Sequence, residues 1–326
     1  MPDAVRIDHA HLESAAERLV SVPPRERRSA ARQLIRSAPQ FGIDLSLIWG
    51  VIDPSTQLVE QACLLVPAAG RTGMLYLSGP DDRIPESEDQ HANRVAVARA
   101  ACQAVDLELS DRVRLVQALV AETEPWARRA CLDAGMSAIG TLAYLKLPIP
   151  KAGPSPDFDT TSLPDGITVR PVGDIESPAQ RRALATALER SYIDTLDCPG
   201  LCDLREIDDV IDSHQATGEY DPALWWVIEH NAQPHGALLL ARYADQSVME
   251  LVYIGLSPQL RGKRLGRTLM ARAVRAASQA AVAEMTCAVD TRNAHAIRLY
   301  DALGFRRFDQ RLALVRPSAR APKTRR

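Results

Sequence analysis

An α/β layer sandwich occurring twice in tandem, each copy a mixed central sheet flanked by helices, is the fold class the sequence predicts, and three observations predict it. Length is the first: 326 residues exceed one ordinary core, and usual domain sizes put about two in such a chain. The second is the set Pro148, Pro150, Pro154 and Pro156, a stretch too stiff and too poor in N–H donors for a helix or interior strand. It splits the chain into nearly equal halves. The third is the second half's order of apolar patterns, in which strand-like alternation and helical periodicity follow one another.

In that half, residues 167–171 read as a short strand and 179–191 as a helix. A polar segment, 194–219, contains a helical run at 204–214. Strands follow at 224–228, 236–242 and 248–256. A helix over 262–280 places Leu265, Leu269, Ala273 and Ala277 on one face. A strand at 285–289, a helix at 294–303 and a strand at 308–315 complete the order. The first half repeats it more faintly: aligning Gly135 on Gly304 brings Val120 onto Val289, Arg129 onto Arg298, Leu145 onto Leu314 and Pro148 onto Pro317. Leu77 and Ser78 likewise match Leu256 and Ser257. The expected organisation is a degenerate domain at 1–150, a Pro-rich linker at 151–165, a catalytic domain at 166–317 and a basic, disordered tail at 318–326.

Composition excludes several classes. With 46% hydrophobic and 25% charged residues, the chain has no window approaching the roughly 18 apolar residues of a membrane span. Charges interrupt its first residues, so they do not read as a signal peptide, and a cytoplasmic location is the expectation. A net charge of −2 argues against a nucleic-acid binder, despite the basic tail. The six cysteines lack the spacing of a disulfide scaffold; Cys198 and Cys202 have no matching second pair, so no metal is expected.

The chemistry concentrates in residues 257–267. Arg261, Lys263, Arg264 and Arg267 crowd the start of a helix whose exposed N–H groups are already partly positive. A bound diphosphate would turn that repulsion into attraction. A solvated basic helix start explains the charges equally well, but not Gly262 and Gly266, which are costly in a helix and useful where a ligand approaches the backbone. Leu265 is the first residue of the helix's apolar face.

This segment resembles the acyl-CoA pyrophosphate loop of the GNAT superfamily of N-acetyltransferases, with Arg261 and Gly266 in place and Arg264 where a glycine is usual. The same family's second motif follows in Asn293 and Tyr300. The resemblance covers roughly residues 167–315 and implies acetyl-CoA as co-substrate and an amine acceptor. It implies that Asn293 and Tyr300 face the cofactor and that the tyrosine protonates the departing sulfur. Glu250 resembles the strand glutamate that serves as base, though an alternating strand also presents polar residues by default. Ile254, Gly255 and Leu256 lie where the family splays two strands and offers N–H groups to the thioester. The implied reaction is direct attack by a primary amine in a ternary complex; a non-catalytic acyl-CoA sensor is the alternative. The tandem arrangement is similar to that of the mycothiol synthases, which acetylate a sugar-linked cysteine amine.

The first half lacks these parts. Its matching loop, 79–89, is acidic; Cys131 stands at the position of Tyr300, Glu124 at that of Asn293 and Arg71 at that of Glu250. On the acceptor side, residues 192–219 carry Asp194, Asp197, Asp208, Asp209, Asp212 and Glu219, a charge that would draw a cationic amine or merely coat a solvated helix pair. His214 is expected at the surface, and Trp225 and Trp226 in the core.

Overall fold

The computed structural model describes residues 3–81, 87–150 and 163–319. Most of the expected linker, residues 82–86 of the acidic loop and most of the basic tail lie outside the described residues. The chain forms two compact units, one of residues 1–139 with 312–326 and one of residues 140–311.

Within the first half the order is β1 (Val5–Arg6), α1 (Leu12–Leu19), α2 (Arg27–Ser37), β2 (Ile48–Ile52), β3 (Val59–Ala68), β4 (Thr72–Leu77), α3 (Glu88–Leu107), β5 (Leu115–Ala121), α4 (Pro125–Asp133) and β6 (Ser137–Pro148). The second half repeats it as β7 (Ile167–Pro171), α5 (Pro178–Tyr192), α6 (Ile207–Gln215), β8 (Trp225–His230), β9 (Gln233–Tyr243), β10 (Val248–Leu256), α7 (Leu265–Gln279), β11 (Glu284–Asp290), α8 (Ala294–Ala302) and β12 (Arg306–Pro317). The duplication read from a few aligned residues is thus present element by element.

The units do not coincide with the halves of the sequence. Residues 140–148 of β6 belong to the second unit, where they pair antiparallel with β11, Leu142 opposite Asp290 and Pro148 opposite Glu284. Residues 312–317 of β12 belong to the first unit, beside β5. Each half therefore gives its last strand to the other unit. Apolar alternation fits the strands to these places: Ala143, Leu145 and Leu147 join the core around β10, α7 and β11, while Leu314 joins the core around α3.

In the second unit the strand order is β6-β11-β10-β9-β8-β7. All pairs are antiparallel except β10 with β11, which are parallel. Helix α7 buries the face expected of it, Leu265, Leu269, Ala273 and Ala277, together with Met270 and Val274. Full burial of a leucine of this kind contributes about 1.5–3 kcal/mol. The helix begins at Leu265, later than the expected 262, because Gly262 (φ 77°) and Arg264 (φ 61°) take left-handed conformations that no helix contains.

Candidate active site

Strands β10 and β11 pair over three residues only, Val248 to Glu250 opposite Glu284 to Thr286. Beyond Glu250, β10 stays with β9 through Leu256, and β11 stays with β6 through Asp290. The two strands therefore part, and the β10 edge carrying Ile254, Gly255 and Leu256 is not paired with β11. A shift in register between Leu251 and Tyr253 against β9 bends β10 where the parting starts.

Glu250 stands at the root of this parting. Burial raises its carboxyl, and a hydrogen bond from the Tyr243 hydroxyl offsets part of the rise. Tyr243, the last residue of β9, is itself pushed up to about 12, mainly by burial and then by the Glu250 charge. Tyr300, on α8, is 3% exposed and packs against Phe305. Burial, then Cys287 and Asp197, hold its phenol well above the usual tyrosine value. It keeps its proton at neutral pH. The Cys287 thiol, pushed up to about 12 by burial, also feels Asp197 and Glu250, so these groups share one neighbourhood. Tyr144 of β6 belongs to it as well, since burial and charges including Glu250 and Cys198 act on it.

Past β10, the nominated loop has the character of an anion seat. No side chain caps α7, whose first residues are Leu265, Gly266 and Arg267. A Cβ at Gly262 would meet nothing within 4 Å, which leaves that face open. Gly266 serves packing instead: a Cβ there would lie 3.0 Å from Leu299 of α8. Lys263 lies in the open turn between the two left-handed residues, Gly262 and Arg264. Asn293 is the N-cap of α8 and accepts from the Ala296 amide at 3.2 Å.

The Arg261 side chain is committed elsewhere. Its guanidinium donates to the carbonyls of Leu256 at 2.9 Å, Asp194 at 3.0 Å, Ser191 at 3.0 Å and Ile193 at 2.7 Å. It thus ties the end of α5 to the end of β10. A second tie closes on β11: Asp197 Oδ1 accepts from the Asp290 amide at 2.7 Å, and the Cys198 amide donates to Asp290 Oδ2 at 3.2 Å. Residues 191–198 accordingly run from one parted strand to the other. Gly255 fits beneath them because a Cβ there would collide with the Tyr253 hydroxyl, which lies 2.6 Å from Ser191 Oγ.

Sequence reasoning missed Tyr243, Tyr144 and the strap formed by residues 191–198. Only the distant register of β9 and the exchanged strand bring the two tyrosines in. His214 is a correction: its Nε2 is buried without a partner among the described residues, its ring lies 5.7 Å from Tyr253, and burial lowers it to about 4. Trp225 and Trp226 are buried, as expected. A separate hollow of about 410 Å³, lined by Val169, Trp226, Leu269, Arg272 and Arg275 among others, contains no nominated residue.

The matching segment of the first unit is built differently. The buried positions Val97, Ala98, Ala101, Cys102 and Val105 of α3 match Leu269, Met270, Ala273, Val274 and Ala277 of α7. On that match, residues 89–94 stand where 261–266 stand, and they are helical, with Ser87 capping the Gln90 amide. The turn with open amides is absent there. Asp81, counted among the repelling acids, is instead buried and paired with Arg18 at 2.9 Å and Arg27 at 3.2 Å. By sheet register Met74, opposite Gln117, takes the level of Glu250, opposite Thr286; Arg71 precedes the strand. Cys131 is buried and its thiol is pushed up to about 12.

Residues 192–305 match the acetyltransferase (GNAT) family. The mycothiol acetyltransferase of Kocuria rhizophila is 29% identical over 205 residues, which is 59% of this chain and 63% of that protein, less than two thirds of its length. The crystal structure of a GCN5-related N-acetyltransferase from Sphaerobacter thermophilus has a TM-score of 0.58 at 16% identity, over 96% of this chain and 95% of that one. A tandem GNAT protein from the clavulanic acid biosynthesis pathway has a TM-score of 0.48 at 14% identity, over 84% and 83%. The family match spans the parted strands, the open turn and the α8 tyrosine alike, so the second unit resembles this acetyltransferase family over the segment that builds the candidate site.

Proposed function

We propose that the protein transfers an acetyl group from acetyl-CoA to a primary amine by direct attack in a ternary complex. The observation that carries this reading is the parting of β10 from β11 directly after Glu250, with Tyr300 in the same neighbourhood and an uncapped, cation-rich helix start beyond it. The open face at Gly262, the α7 amides and Lys263, Arg264 and Arg267 fit a diphosphate. The β10 edge at Ile254 and Leu256 supplies N–H groups for the pantetheine arm and the thioester oxygen. Asn293 orders the first turn of α8 and so fixes Tyr300.

Each residue then has one task. Glu250, its carboxyl raised by burial, takes the proton from the incoming ammonium, directly or through a water. The β10 amides stabilise the oxyanion as nitrogen bonds to carbon. Tyr300, still protonated, donates to sulfur as the carbon–sulfur bond breaks, leaving CoA and an acetylated amine. The relative from Kocuria rhizophila is named a mycothiol acetyltransferase, and that name favours a narrower reading in which the acceptor is a cysteinyl amine.

The test is CoA release from acetyl-CoA with a panel of primary amines. Tyr300→Phe is expected to lower kcat by about 100-fold while acetyl-CoA affinity changes little. Unchanged turnover removes Tyr300 from the reaction. A protein that binds acetyl-CoA but releases no CoA with any amine is a sensor and not an enzyme.

A further inference from the structure

Two of the acids that the sequence offers to an acceptor are paired within the protein. Asp208 and Asp212 share Arg181 at 2.6 and 2.7 Å. Asp290 is closed by Arg292 at 2.6 Å. Asp197 differs. Its Oδ1 holds the strap to β11 through the Asp290 amide at 2.7 Å, while among the described residues no lysine, arginine or histidine pairs with it and Oδ2 has no partner. It retains solvent exposure, and its charge reaches both the Cys287 thiol and the Tyr300 phenol.

We propose that Asp197 binds the ammonium group of the acceptor, making it the residue that selects a cationic amine over a neutral nucleophile. The proposal rests on the acetyl-transfer reading given above and deepens it. Desolvation, then the neighbouring Asp290 charge, raise the Asp197 carboxyl against the pull of the Asp290 amide, so an incoming cation relieves an unfavourable charge there. The division of labour follows from position. Residues 191–198 join the ends of β10 and β11 across the parting, so an amine held by Asp197 stands near Tyr300 and the Cys287 wall. Glu250, whose charge reaches the same Cys287 thiol, receives the proton that must leave before nitrogen attacks. Asp197 is thus a specificity residue, and Glu250 the base.

The experiment measures CoA release by the full chain with n-butylamine, spermidine, D-glucosamine and L-serine methyl ester as probes, for the wild type, Asp197→Asn and Asp197→Glu. Asparagine keeps an oxygen for the Asp290 amide, so a residue that merely held the strap would leave amine kinetics unmoved. The expected result for Asp197→Asn is an amine KM raised about 10- to 100-fold, the worth of a charge-assisted hydrogen bond. kcat should stay within about threefold and the acetyl-CoA KM should not move, because binding and not chemistry is lost. Asp197→Glu should recover part of the amine KM. An unchanged amine KM in Asp197→Asn, with release intact, overturns the proposal and leaves acetyl transfer standing. Loss of acetyl-CoA binding in both variants also overturns it, since the residue would then support the loop. A wild type that releases no CoA with any probe removes the acetyl-transfer reading, and the proposal with it.

Discussion

In the proposed reaction burial sets the chemistry of Glu250 and Tyr300, raising the carboxyl of the one and keeping the phenol of the other protonated. Tyr243 tempers the first effect, because its hydroxyl hydrogen-bonds the ionised carboxylate. Removing that bond favours the neutral acid, so Tyr243→Phe should move the acid limb of the kcat/KM profile to higher pH. A limb that stays or moves down would exclude Tyr243 from the site. Arg264 illustrates a cost carried at a single backbone position: its left-handed φ of 61° suits the glycine usual there. Arg264→Gly should raise unfolding stability by about 1 kcal/mol in denaturant melts and leave acetyl-CoA binding measurable. Lost binding would identify the side chain itself as a phosphate ligand. Glu250, Tyr300 and the loop glycines could be nominated from local sequence, Tyr300 and the glycines from contiguous motifs and Glu250 from its place on a strand. Tyr243 could not, since only the β9–β10 register places it beside Glu250, and a register leaves no local mark in sequence.

Elements, more than side chains, make the opening. β10 and β11 part because each remains loyal to its outer neighbour, and the strap of residues 191–198 holds their ends at a fixed separation. Arg261 was read as a loop ligand from its place in the motif; its guanidinium is occupied by four backbone carbonyls. A lysine cannot reproduce that fork. Arg261→Lys should therefore speed amide hydrogen exchange in residues 191–198 about as much as Arg261→Ala does, and restored protection in the lysine variant would contradict the clamp. The proposal that the first unit is silent rests better on the extra N-terminal turn of α3 relative to α7 than on its acidic loop. Helical periodicity predicted α7 and located its buried face. It could not show where α7 starts, because that depends on two left-handed residues, one of them an arginine.

At the scale of the whole molecule, the duplication was legible and the exchange was not. Leu145 and Leu314 occupy equivalent places in near-equivalent strands, so the pattern of either strand suits either sheet. The exchange brings Tyr144 into the second unit's site. It also means that the Pro-rich stretch does not divide independent domains. Cutting the chain within 151–162 should yield fragments that stay together through gel filtration without denaturant, and fragments that separate would refute the exchange. The proposal that the chain binds acetyl-CoA at one site rests on the contrast between an open turn at 261–266 and a helical turn at 89–94. Calorimetric titration of the intact chain with acetyl-CoA therefore tests the central claim most directly. One saturating site per chain is the expected result, and either no heat of binding or two equivalent sites would contradict it.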